Sequence, residues 1–187
     1  FYFQPADQRV RSSIAMKALK EGVRVWDRDI TRFLSSDYVP LYNPIEEYLN
    51  STGHWDGKDR IRALADLVPC NNPHWRELFY RWFLSMTAHW QNIDRQHGNN
   101  TSPLLVGAQG YRKSTFCRIL LPPELRCYFY TKTNSDRLNK DDLFSLTEFA
   151  LICFEELDGM RPAELNQLKA MVTMPYVNER AAYGRNK

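Results

Sequence analysis

Residues 107–115 read Gly107-Ala108-Gln109-Gly110-Tyr111-Arg112-Lys113-Ser114-Thr115. An apolar stretch with strand character precedes them at residues 104–106, and a stretch with helical character follows at residues 114–121. This is the setting of a phosphate-binding P-loop, in which backbone N–H groups and the start of a helix face phosphate oxygens. The sequence therefore predicts a nucleotide site whose binding residues are Gly107, Gln109, Gly110, Arg112, Lys113, Ser114 and Thr115.

ATP and Mg²⁺ are the cofactors that this loop predicts. We expect Lys113 to reach the β- and γ-phosphates, in catalysis as well as binding, and the Ser114 hydroxyl to ligate the metal. Arg112 departs from the full G-x-x-x-x-G-K-[ST] pattern, because it stands where the second glycine belongs. Holding a side chain in a glycine-type conformation costs about 1–3 kcal/mol, which corresponds to roughly 10- to 100-fold weaker binding. Gly110 can supply the turn instead, and an ordinary strand-to-helix loop is the alternative.

A second signal is the apolar run at residues 149–154, which ends in two acids, Glu155 and Glu156. A buried parallel strand that delivers carboxylates to the phosphate site is what a Mg²⁺-dependent NTPase requires. Glu155 is the predicted metal ligand, and Glu156 is the predicted catalytic residue that polarises the attacking water. The first acid is usually Asp, so Glu155 adds a methylene group. A solvated acidic strand end is the alternative.

After a polar linker at residues 94–102, strand-like stretches at residues 104–106, 127–130 and 149–154 alternate with helical ones. This order predicts an α/β P-loop NTPase core with a parallel sheet over residues 99–187, incomplete at its C-terminus. Before the linker the pattern is helical, and its clearest segment is an aromatic stripe from Trp75 to Trp90. We therefore expect an all-α N-terminal domain over residues 1–98.

Composition excludes several classes of protein. The chain has 187 residues, of which 43% are hydrophobic and 25% charged, and its formal net charge is +3, which is ordinary for a globular protein. No apolar run approaches the roughly 18–20 residues that cross a bilayer, and no secretory signal is recognisable at Phe1-Tyr2-Phe3-Gln4-Pro5, so we expect a cytoplasmic protein with no membrane partner.

A zinc site is not expected, because none of the four cysteines has Cys-x-x-Cys spacing. Cys153 is predicted to be a buried thiol.

The basic residues suggest one further possibility. A cluster near the N-terminus, formed by Arg9, Arg11, Lys17 and Lys20, is a candidate for contact with phosphates. A solvated helix face explains the same cluster equally well.

Several motifs together resemble the virulence-associated protein E (VirE/VapE) family. Pro44-Ile45-Glu46-Glu47-Tyr48-Leu49 and Trp55-Asp56-Gly57-Lys58-Asp59-Arg60-Ile61 look like its helical lead-in. The loop at 107–116, the acidic strand at 151–158, Leu168-Lys169 and the segment 179–185 are similar to its ATPase core. The resemblance covers roughly residues 40–187. It implies a P-loop ATPase related to the superfamily 3 primase-helicases of phages and mobile elements.

The same resemblance implies partners and further residues. The expected partner besides the nucleotide is DNA, on which the full-length protein would act as a homo-oligomeric ring. Arg180 and Arg185 lie where the family carries basic residues suited to contact a γ-phosphate, so both are candidate catalytic residues. The family's next strand would lie beyond Lys187, so we predict that residues 1–187 alone hydrolyse ATP poorly.

Three functions follow from these observations. The first is the ATPase module of a helicase-like replication protein. The second is a degenerate, non-hydrolysing nucleotide- or DNA-binding module whose loop has decayed at Arg112 and Glu155. The third, a small-molecule kinase, is disfavoured because no lid or acceptor site is recognisable.

Overall fold

A computed structural model describes residues 7–40, 42–93, 99, 101–133, 138–174 and 177. The chain forms two compact units, Phe1–Asn43 and Pro44–Lys187. None of the helices in these described ranges combines the length and the apolar character that a membrane span requires.

The first unit is a pair of helices, α1 (Gln8–Lys20) and α2 (Asp27–Leu34), which pack together. The Asp7 carboxylate begins α1 by accepting a 2.9 Å hydrogen bond from the Val10 N–H, which satisfies one of the free donors of the first turn. Lys17 and Lys20 lie in the last turn, where cations favour the helix dipole. Ile30 on α2 is the buried hydrophobic residue of this pair.

The second unit begins with three helices, α3 (Pro44–Ser51), α4 (Arg60–Asp66) and α5 (Trp75–Trp90). The aromatic stripe predicted a helix over these last residues, and the structure confirms it. Phe79, Trp82 and Met86 recur at helical spacing and bury one face of α5 against Ala65 of α4. The Trp75 indole fixes the contact by donating a 3.0 Å hydrogen bond to the Ala65 carbonyl.

Two strands follow in a βαβ arrangement. After α6 (Lys113–Ile119), a 3-10 helix (Pro123–Tyr128) leads into β1 (Phe129–Lys132), and α7 (Lys140–Glu148) crosses to β2 (Leu151–Phe154). The strands are parallel, as predicted, and the register pairs Phe129 with Leu151 and Lys132 with Phe154. A second 3-10 helix (Leu157–Gly159) and α8 (Pro162–Thr173) end the described part.

Two predicted strands differ from the observed ones. The strand expected at residues 127–130 begins at Phe129 instead, because the 3-10 helix opened by Pro123 occupies residues up to Tyr128. The strand expected at residues 104–106 is not formed: Leu104 and Val106 are 67% and 88% exposed. The sheet of the described residues contains β1 and β2, and neither pairs with this segment.

One core joins the helices to the strands of the second unit. Leu120 lies in the same buried cluster as Phe79 and Trp82, and Phe116 and Leu151 pack against that cluster. The indole of Trp90 donates a 2.8 Å hydrogen bond to the Ala150 carbonyl, just before β2. The boundary predicted between residues 98 and 99 therefore falls inside a unit whose core uses residues from both sides of it.

Candidate functional site

The loop at residues 107–112 enters α6 through two left-handed backbone positions. Gly110 has a φ of 88°, which glycine adopts without steric cost. Arg112, directly before α6, has φ 56° and ψ 32°, a conformation that costs a residue with a Cβ atom about 1–2 kcal/mol. Gly110 thus supplies one turn, as expected, and Arg112 adopts the glycine-type conformation as well.

Lys113 closes this loop. Its ammonium group donates hydrogen bonds of 2.8 Å and 2.9 Å to the carbonyl oxygens of Gly107 and Ala108, at the opposite end of the loop. The side chain is half-buried, whereas Gln109, Arg112 and Thr115 are exposed. Of the predicted phosphate-binding residues, Lys113 and Gly107 are therefore brought into direct contact. A phosphate entering the loop would offer the ammonium group a charged partner in place of two neutral carbonyls.

Ser114 and Glu155, the two predicted metal ligands, also meet. The Ser114 hydroxyl, in the first turn of α6, donates a hydrogen bond to the Glu155 carboxylate at the end of β2. The Glu155 N–H in turn donates a 3.0 Å hydrogen bond to the Lys132 carbonyl, which extends the parallel ladder by one step beyond β2. The sheet edge therefore fixes the backbone of the acid, and α6 brings the hydroxyl to it across 41 residues of sequence.

These two side chains have the chemistry that Mg²⁺ requires. A hydroxyl and a carboxylate are hard oxygen ligands, and Mg²⁺ is usually bound by one or two such protein groups together with phosphate oxygens and water. The described residues contain no cluster of three or more His, Cys, Asp or Glu side chains that could hold a metal by themselves. Residues Ser114 and Glu155 thus fit a metal that a nucleotide helps to bind.

The remaining predicted catalytic residues are less well placed. Glu156 follows Glu155 in the left-handed region, with φ 56° and ψ 49°, and its side chain is exposed. This backbone conformation ends the strand and begins the 3-10 helix. Arg180 and Arg185 lie outside the described residues.

A buried ion pair lies beside this sheet edge, and sequence reasoning missed it. The Lys132 ammonium group is 3.0 Å from the Asp142 carboxylate, and the two residues are 9% and 5% exposed. Asp142 also accepts a 2.7 Å hydrogen bond from the Asn139 N–H, as part of the capping box that begins α7. The pair thus ties the start of α7 to the residue whose carbonyl holds Glu155. The Asn139-x-x-Asp142 spacing predicts the helix cap, but no local sequence pattern predicts that Asp142 pairs with Lys132.

Two cysteines also meet next to the Ser114–Glu155 contact. Cys117 lies one helical turn beyond Ser114, and Cys153 lies two residues before Glu155. A hydrogen bond with Cys153 lowers the pKa of the Cys117 thiol from its ordinary value. The same hydrogen bond, with burial, raises the pKa of Cys153. Cys153 is half-buried, so the predicted buried thiol keeps a partly accessible surface.

The Trp-Asp-Gly segment forms a local turn before α4. Asp56 binds Arg60 through two hydrogen bonds of 2.6 Å and 2.7 Å, and the Trp55 indole donates to the Lys58 carbonyl at 3.2 Å. Gly57 has a φ of 82°, where any other residue would be strained. The segment therefore has a structural role that its own residues explain.

The chain was compared with protein families, curated proteins and solved structures. The virulence-associated protein E-like domain matches residues 49–187, which is well over half of the chain. No curated protein and no solved structure matches it. The match includes the loop, α6, both strands and the acidic strand end, and it confirms the resemblance to the virulence-associated protein E family from residue 49 onward. The chain belongs to the virulence-associated protein E-like domain family.

Proposed function

We propose that this chain is the ATP-binding module of a helicase-like DNA replication protein from a phage or mobile element, with Mg-ATP bound at residues 107–115. The observation that carries the proposal is the contact between Ser114 and Glu155. A resemblance to a P-loop in sequence alone would not bring the loop's hydroxyl against a carboxylate at the end of a half-buried parallel strand. Membership of the virulence-associated protein E-like family supports the mobile-element origin.

Each residue then has a distinct role in binding. Lys113 would exchange its two carbonyl partners for the β- and γ-phosphates. Ser114 and Glu155 would hold Mg²⁺, which when bound neutralises phosphate charge. The open loop favours this exchange, because Gly107 and Gly110 have no other atom within 4 Å of the space their missing side chains would occupy. The backbone there can approach an anion closely.

Hydrolysis needs further residues. Glu156 directly follows Glu155 in the sequence and is the candidate for orienting the attacking water. Arg180 and Arg185 are the candidates for stabilising transition-state charge. In the full-length protein these arginines would act within a homo-oligomeric ring on DNA. We expect residues 1–187 alone to bind ATP and to hydrolyse it poorly.

A second candidate is a non-hydrolysing nucleotide- or DNA-binding module. The left-handed Arg112 and the exposed Glu156 favour it, because both depart from an ordered hydrolytic site. The two candidates make different predictions for the full-length protein. The non-hydrolysing module predicts that the full-length protein binds ATP without hydrolysing it. Restoring glycine at Arg112 and aspartate at Glu155 should then rescue activity if the site has simply decayed.

Titration of a fluorescent ATP analogue into the chain, with and without Mg²⁺, tests the proposal. The parent should bind in a Mg²⁺-dependent manner, and K113A should lose at least about tenfold in affinity because a charge-assisted contact is removed. R118A is the matched control, since it removes an exposed cation from the same helix. Equal affinity of K113A and R118A would contradict the proposal.

A further inference from the structure

One face of α1 carries an uninterrupted row of polar and cationic side chains. Arg9, Ser13, Lys17 and Lys20 recur at intervals of four, four and three residues, which places them within about 80° of one another around the helix. The row is about 16 Å long at 1.5 Å per residue. All four residues are exposed. The row therefore forms a straight cationic edge in the first unit.

The charge of this row is not compensated within its own helix. Helix α1 contains four basic residues and no acidic one. Among the residues that the structure describes, no carboxylate forms an ion pair with Arg9, Lys17 or Lys20. Helix α2 differs, because Asp29 lies 3.9 Å from Arg28 and 3.6 Å from Arg32. Helix α1 has four cations and α2 has two, and of these two helices only α2 holds its cations in ion pairs within the described residues.

The shape of the same face suits an extended ligand. A shallow, open depression of about 270 Å³ runs along it, lined by Arg9, Val10, Ser13, Ile14 and Lys17. A cation lies at each end, and a hydroxyl and two aliphatic side chains lie between them. Small-molecule sites are usually enclosed. An open groove with cations along its length instead matches a polyanion that continues past both ends.

We propose that this face of α1 binds the phosphodiester backbone of a nucleic acid strand. One strand carries a phosphate about every 3.4 Å along the helix axis, so a 16 Å row lies opposite about five phosphates. Arg9 and the two lysines supply the charge, and Ser13, whose hydroxyl donates a 2.8 Å hydrogen bond to the Arg9 carbonyl, leaves space for a strand between them. Such contacts position the strand without reading its sequence.

An anionic membrane surface would also attract these cations, but the apolar residues argue against it. A helix that lies in a membrane interface buries its apolar face in lipid. On α1 the largest apolar side chains, Ile14, Met16 and Leu19, are 38%, 55% and 63% exposed, and at 3.6 residues per turn they lie at different angles around the helix. Met16 lies beside the cationic row itself, so α1 has no single apolar face to bury in lipid.

The proposal is independent of the nucleotide site. Helix α1 lies before residues 49–187, the part that matches the family, and shares no residue with the loop at 107–112. Strand binding without ATP should therefore be the same in K113A as in the parent. If the chain does not bind ATP, the proposal for nucleic acid binding by α1 still stands. If the chain does not bind nucleic acid, the proposed ATP site still stands.

Fluorescence anisotropy with a labelled 20-nucleotide single-stranded DNA, measured between 50 and 200 mM NaCl without ATP, tests it. The variant R9Q/K17Q/K20Q should bind on the order of 10- to 100-fold more weakly at about 100 mM salt. The slope of log K against log salt should fall by about 2, because each phosphate contact on a single strand contributes about 0.7. Circular dichroism and thermal unfolding establish that each variant is folded.

Two control variants make the test specific. R24Q/R28Q/R32Q removes the same charge from the same unit outside the row and should bind DNA within about threefold of the parent, because Arg28 and Arg32 are already paired. R9K/K17R/K20R keeps the charge and should retain affinity. Equal losses in the first control and in R9Q/K17Q/K20Q, or loss in the charge-preserving variant, would overturn the proposal. So would binding by the parent to phosphatidylserine vesicles with none to DNA.

Discussion

Helix α5 and the loop at residues 107–112 lie in the same compact unit and differ in almost every physical respect. Phe79 of α5 is 1% exposed and has four aromatic rings within 6.1 Å of its own. The loop is exposed, contains two left-handed residues, and is closed by one lysine. Burial therefore holds the helix, whereas a few hydrogen bonds hold the loop. A scaffold of the first kind can position a site of the second kind without restricting its ligand.

The largest effect on stability is expected in α5. F79A should lower the free energy of unfolding by about 3–5 kcal/mol, because it removes a buried ring from the centre of the core. The neighbouring L78A, at a residue that is 54% exposed, should cost less than about 1 kcal/mol. Urea denaturation measures both. A similar loss in the two variants would mean that the aromatic cluster is not the stabilising core.

The next effect concerns the buried ion pair at the sheet edge. D142N should destabilise the chain by about 3 kcal/mol, because it leaves the Lys132 ammonium group buried without its carboxylate. The double variant K132M/D142L removes both charges and should recover most of that loss. Urea denaturation of the parent, D142N and the double variant measures the coupling between the two residues. A double variant no more stable than D142N would contradict the assigned cost of removing the Asp142 carboxylate from Lys132.

A smaller change is expected at the start of α6. R112G should stabilise the fold by up to about 1 kcal/mol, because glycine adopts the left-handed conformation at this position without steric cost. R118G, inside the same helix, should destabilise by about 1 kcal/mol, since glycine is a poor helix former. Thermal unfolding of the two variants, compared with the parent, gives the sign of each change. Destabilisation by both would show that Arg112 makes contacts that outweigh its backbone strain.

The smallest effect is electrostatic and concerns reactivity more than stability. C153A should raise the pKa of Cys117, because the hydrogen bond with Cys153 is what lowers it. The Cys117 thiolate fraction at neutral pH, and with it the alkylation rate by iodoacetamide, should then fall. C153S keeps a donor and should preserve the rate. Peptide-resolved mass spectrometry follows Cys117 against the exposed Cys127 in the same sample. Faster alkylation of Cys117 in C153A would contradict the assigned hydrogen bond.

The sequence was most informative where a pattern repeats. The stripe from Trp75 to Trp90 predicts α5, because its apolar residues recur at helical spacing, and Phe79, Trp82 and Met86 are buried on the shared face. The acidic pair after an apolar run likewise predicted that Glu155 would lie at a strand end near Ser114, and the two are in contact. In both cases the period or order of residues carries the information.

Where the sequence failed, the missing information was tertiary. Residues 104–106 have the composition of a strand, but a strand also needs a partner for its backbone groups, and β1 and β2 do not supply one. Lys132 and Asp142 are ten residues apart on different elements, so only the register of β1 and the start of α7 brings them together. The meeting of Cys117 with Cys153 depends in the same way on α6 lying against β2.

The hydrogen bond between Trp90 and Ala150 has a consequence for biosynthesis. It joins residues 60 apart, and the apolar face of α5 that it extends is covered by Phe116, Leu120 and Leu151. A ribosome adds about 5–20 residues per second, so several seconds separate the synthesis of α5 from that of β2. During that interval a nascent chain exposes tryptophan and phenylalanine side chains of α5 to solvent. The sequence separation of these contacts, rather than the final stability, therefore sets how long the apolar face of α5 stays uncovered during synthesis.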